Sequence, residues 1–172
     1  MKKLIYLFVA VAFATQAFAQ NVEEIKKSQE RLEKLFKLEV PAPCDLTKVN
    51  QLANESEKIV NELKTTATLL HKYYYNLNGK TEEGNDDTNV APPSVAELVA
   101  LSVSIKKETE AIQNANKLLP EATKEMKTVK NPMKLKAIKK SMDYSSEVMA
   151  LAVEENAAEL KLITELIEQA GK

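Results

Sequence analysis

The stretch from Asn131 to Gly171 constrains this chain most, because it is the longest uninterrupted helical pattern in it. Asn131 suits a helix cap, Pro132 a first turn and Gly171 the position just past the end. About 39 residues between them therefore read as one helix, roughly 58 Å long at 1.5 Å per residue. Its inward stripe is Leu135, Ile138, Met142, Ser145, Met149, Ala152, Asn156, Leu160, Ile163 and Ile167, at spacings of three and four that only a helix brings to one face. A helix of this length cannot bury such a stripe alone, so the rest of the chain must supply its partners.

All six prolines and all three glycines fall between helical patterns or at their ends, which divides the chain. A first helix over 22–39 starts after Asn21, with Glu24 completing a capping box and a stripe of Val22, Ile25, Gln29, Leu32 and Phe36. A second, over 46–78, begins after Asp45 and carries Val49, Leu52, Ser56, Ile59, Leu63, Thr66, Leu70, Tyr73 and Leu77 in coiled-coil-like order. A third, over 94–119, opens on the Ser94 and Glu97 capping box and turns Leu98, Leu101, Ile105, Ile112 and Leu119 inward. Its first half, Val95 to Ile105, is apolar nearly all round, so it should be buried on more than one side or meet a partner. Pro120 starts a shorter helical pattern over 120–130, which either extends the third helix or leads into the fourth over 132–170. The connection 79–93, with Glu82, Glu83, Asp86 and Asp87, reads as flexible and acidic and lacks the alternating spacing of a calcium loop. The expected fold is all-α: an elongated up-down bundle of three long helices plus a shorter N-terminal one, as a single domain over 20–172.

Residues 1–19 stand apart from that bundle. Lys2 and Lys3, an apolar run from Leu4 to Thr15, and Gln16-Ala17-Phe18-Ala19 ahead of Gln20 form a bacterial-type secretory signal peptide, with cleavage expected after Ala19. The run is shorter than the roughly 20 residues a spanning helix needs, so no transmembrane anchor is expected after cleavage and the product is assigned to the periplasm or the exterior. With 44% apolar and 28% charged residues the composition is that of a globular domain, and a net charge near zero calls for no nucleic-acid partner. Cys44 is the only cysteine, which excludes an internal disulfide and leaves two readings, a shielded thiol or a link to another chain.

Nothing in the sequence carries a catalytic pattern. His71 is the only histidine, and there is no serine-nucleophile signature, paired-cysteine motif, zinc motif or phosphate loop. No enzyme activity, cofactor or metal site is expected. Met126, Met133, Met142 and Met149 fall within 24 residues, with Met142 and Met149 on the inward stripe as core filling. Two features point to binding. Tyr73-Tyr74-Tyr75 places Tyr75 outward with His71 one turn before it, a pair of apolar bodies with polar tips. Residues 117–140 hold eight lysines against Glu121 and Glu125, net +6, whereas 143–172 hold seven acids against two lysines, net −5, so the bundle should be basic at one end and acidic at the other.

These residues lead to an exported, non-enzymatic bundle acting by protein–protein interaction. His71, Tyr75, Lys134, Lys136, Lys139 and Lys140 are its candidate contacts, and Cys44 is the candidate for an intermolecular disulfide. The expected partner is another exported or envelope protein, with a second copy of the chain as a further candidate. The alternatives left open are a periplasmic chaperone for unfolded clients and a bundle carrying a small ligand or haem on His71.

Overall fold

A computed structural model describes residues 21–81, 85 and 90–172. The expected signal peptide and the carboxylates Glu82, Glu83, Asp86 and Asp87 lie outside these residues. The described residues form four helices and no strand: α1 over 21–37, α2 over Thr47–Leu77, α3 over Val95–Met126 and α4 over Pro132–Ala170. None is long and apolar enough to cross a membrane.

Local capping accounts for two of the helix starts. The Asn131 side chain accepts hydrogen bonds from the Met133 and Lys134 amides, at 3.0 and 3.4 Å, while Pro132 occupies the first turn of α4. Ser94 Oγ accepts from the Glu97 amide at 3.3 Å and Glu97 Oε2 accepts from the Ser94 amide at 2.8 Å, a complete capping box for α3. The start of α2 is made differently. Leu46 occupies the cap position without a side-chain bond, and Asp45 turns away to Lys134 at 2.6 Å. A carboxylate from the far end of α3 takes over: Glu125 Oε2 accepts from the Lys48 and Val49 amides, at 2.7 and 3.3 Å, where the positive end of the helix dipole favours it.

Pro120 lies inside α3, so the pattern over 120–130 extends the third helix as far as Met126 and is not a separate element. Proline costs the ladder one N–H, but Ala115 and Ala122 on either side of it are buried against the neighbouring helices, and that packing carries the helix through.

Lys48 meets Glu121 at one end of the α2–α3 pair, while Ile105 and Thr109 of α3 meet Asn156 of α4, so consecutive helices run antiparallel. The core falls into two apolar clusters. One joins Leu32 and Leu35 of α1 to Leu52, Ile59 and Leu63 of α2, Ile112 of α3, and Ile138 and Val148 of α4. The other joins Ile25, Leu70, Tyr74, Leu98, Ile105, Ile163 and Leu166. Between them lies a level of polar side chains drawn from all four helices.

Three of the expected faces shift. In α1 the buried row is Ile25, Ser28, Leu32 and Leu35, while Gln29 is exposed and Phe36 is 44% exposed. Ser28 can turn inward because partners await it there. In α4 a second inward row, Ser141, Tyr144, Val148, Glu155, Glu159, Leu162 and Leu166, accompanies the expected one, because α1 covers this helix as well as α2 and α3. In α3 only one side of the apolar first half is covered; Val95, Val99 and Val103 remain 42%, 45% and 47% exposed.

Candidate functional site

The polar level is built residue by residue from helix positions that alternate with the apolar rows. Glu108, Glu155 and Glu159 are each no more than 2% exposed, and burying three carboxyl groups requires either partners or protons. Glu155 has partners. It accepts from Arg31 Nε at 2.6 Å and from the Ser28 hydroxyl, while Arg31 also reaches Glu24 at 3.2 Å. Ser28 Oγ lies 2.9 Å from His71 Nε2, and since its single proton goes to Glu155, the imidazole must be the donor and carry its hydrogen on Nε2. Burial, helped by the charge on Arg31, pushes the His71 pKa down to about 4, so the ring is neutral.

Glu159 has a proton. Burial and the nearby Glu108 and Glu155 carboxyls hold its pKa far above the usual carboxylate range, and burial raises Glu108 as well. The two carboxyls act on each other, Thr66 Oγ1 lies 3.4 Å from both oxygens of Glu159, and Glu108 Oε1 has no hydrogen-bond partner among the described residues. Asn156 completes the level, donating to the Ile105 carbonyl at 3.0 Å and accepting from Thr109 at 2.7 Å.

Ser28 sits between His71 and Glu155 and receives a hydrogen bond from the imidazole, the reverse of a serine made reactive by a histidine base. The space enclosed by Glu24, Ser28, His71, Glu155 and Glu159 is about 10 Å³, room for no more than a water and far short of a haem. Among the described residues no three His, Cys, Asp or Glu side chains are placed to hold a metal ion. The polar level acts instead on the fold: a shift in helix register would strand a buried carboxyl without its partner.

The lysine-rich end is open. The links α1–α2 and α3–α4 meet there and enclose a cleft of about 710 Å³, lined by Cys44, Leu46, Val129, Met133, Ala137 and Ile138, with Lys130 and Lys134 among the polar lining residues. Asn50 holds the backbone of Cys44 through two hydrogen bonds, at 2.8 and 2.6 Å, and its half-buried thiol, in no disulfide, donates to the Leu46 carbonyl at 3.9 Å. Lys134 pairs with Asp45 and Lys140 with Glu39, at 2.6 and 3.4 Å. Lys124, Lys127, Lys130, Lys136 and Lys139 have no ion pair among the described residues. Glu39 and Asp45 are matched in number by Lys37 and Lys48, so the net +6 of residues 117–140 survives folding.

His71 and Tyr75 are placed otherwise than expected. Both are only 8% exposed, because α1 covers that side of α2: Ser28 bonds the imidazole, and Tyr75 packs edge-on against Tyr74 at 5.3 Å in the cluster that contains Ile25. The two side chains are thus largely covered instead of turned outward, while both line an open pocket of about 360 Å³ with Gln29, Glu33, Phe36 and Thr68. The acidic end is also weaker than its count. Of the seven acids in 143–172, Glu155 and Glu159 are interior, one paired with Arg31 and one protonated. The one signal that could have found these buried acids is the second row in α4, where Glu155 and Glu159 share the spacing of Val148 and Leu162. No family model, no curated protein and no solved structure matches this chain.

Proposed function

We propose that this chain is an exported, non-enzymatic helical bundle that acts by binding another exported or envelope protein through its lysine-rich end. The observation that carries this reading is the unneutralised lysine group beside an open, largely apolar cleft. Charge of this kind steers a partner and sets orientation, while apolar lining holds it. At the Ser28, His71 and Glu155 group the interior leaves only about 10 Å³, too little for a substrate. Export rests on the pattern of residues 1–19.

The test is crosslinking in the native cell, with capture of the mature protein and of a Lys136→Glu, Lys139→Glu variant. One dominant partner is expected, held about tenfold more weakly by the variant at low salt and with a smaller difference at high salt. Equal capture by the variant would remove the lysine end from the account. A holdase for unfolded clients is the second reading, favoured by the outward row Val95, Val99 and Val103; capture of many unrelated exported proteins would select it.

A further inference from the structure

We infer that the cleft between the α1–α2 and α3–α4 links takes an acidic, amphipathic segment of the partner, with apolar side chains entering it and carboxylates meeting the lysines around it. This rests on the protein-binding reading and names the chemistry of the segment bound. The cleft's apolar lining is Leu46, Val129, Met133, Ala137 and Ile138, and its volume suits a few apolar side chains. Met133 is 85% exposed, and an unbranched thioether at such a place adapts its shape to what enters.

Charge complementarity selects the sign of the occupant. Lys130, Lys134 and one carboxylate, Asp45, line the cleft, and Lys124, Lys127, Lys136 and Lys139 flank it in sequence. Lys134 is engaged by Asp45, an exposed pair in which an incoming carboxylate can replace Asp45 at little cost. A glycan would satisfy the lysines and leave the apolar lining unused, with no aromatic ring in it for sugars to stack on. An anionic membrane would press against Glu39, Asp45 and Glu121 at this same end and, being flat, would leave the cleft empty. A helix or extended segment with one apolar face and one acidic face uses both the lining and the rim.

Cys44 is the only cysteine and lines the cleft, so the rate at which its thiol is alkylated in the mature protein reads occupancy directly. The probes are helical peptides with one common leucine stripe and Glu, Gln or Lys at every other position, together with polyglutamate and vesicles of phosphatidylglycerol. The Glu peptide should slow alkylation about tenfold at low ionic strength, the Gln peptide less and the Lys peptide not at all. A Lys130→Glu, Lys136→Glu variant should lose that protection, read as the ratio of its own alkylation rates with and without peptide, since the charge change also alters the thiolate fraction. A Met133→Asn variant, which removes the apolar contact without adding charge, should weaken the protection independently of salt.

Equal protection by Glu and Gln peptides, or none by either, overturns the inference. Protection by polyglutamate equal to that of the Glu peptide removes the apolar lining from the account, and stronger protection by the vesicles assigns the cleft to a lipid surface. Partner capture in the cell without peptide protection would discard this occupant and keep the protein-binding reading. Peptide protection without any captured partner would discard that reading and keep the cleft's preference.

Discussion

Arg31 and Glu155 meet at 2.6 Å with side-chain exposures of 14% and 0%, and Arg31 is the cation paired with Glu155 among the described residues. Arg31→Met should leave a carboxylate buried without its cation and cost about 3–5 kcal/mol in urea unfolding, whereas adding Glu155→Met should recover most of that loss. Glu159 gives a different prediction, because what it keeps is a proton. In the fold that proton is held through the range where the unfolded carboxyl has lost it, so its contribution is full below the ordinary carboxylate range and declines as pH rises above it. Glu159→Gln should remove a slope of at most about 1.4 kcal/mol per pH unit and make the protein more stable than the parent at pH 8, as read by urea melts across pH 6 to 9. His71 was visible in the sequence as a lone histidine, but its neighbours Ser28 and Arg31 lie about 40 residues earlier, and no local pattern links them.

Helix ends divide into those made by their own sequence and those made by a neighbour. The caps of α3 and α4 use residues within three positions of the first turn, and their spacing alone marks them. The cap of α2 comes from Glu125, 77 residues away from Lys48. Glu125→Ala should cost about 1 kcal/mol and speed hydrogen exchange at the Lys48 and Val49 amides while leaving the α3 and α4 starts unchanged. Pro120 shows the same division in reverse. The residue reads as a helix start, yet α3 continues through it because packing on both sides outweighs one missing hydrogen bond. Pro120→Ala should restore that bond and raise stability by about 1–3 kcal/mol in thermal or urea unfolding. The row chosen by α1 was not legible either. Phe36 is the more apolar candidate, but turning it inward would turn Ser28 away from Glu155.

The bundle as a whole has two apolar halves separated by one ionisable level, and this sets its response to pH. The His71 contribution is full above the ordinary value of 6.5 and is lost as pH falls towards about 4, since the unfolded imidazole gains its proton first. Glu159 slopes the other way, so the two oppose each other on the mildly acidic side and only the carboxyl slope remains above it. In the Glu159→Gln variant the acid-side loss from His71 should therefore stand out, and a flat profile between pH 6.5 and 4 would show that the imidazole is not held neutral by burial. The helical class, most helix limits, the charge of the lysine-rich end and the main apolar rows follow from chemistry that acts over one to four residues: caps, breakers and the spacing of apolar side chains. Which second row turns inward, which acids lose contact with water, and whether His71 and Tyr75 face out or in depend on what packs alongside. Burial is a property of the space between helices, and only the assembled bundle brings Arg31, Ser28 and Glu155 into it together.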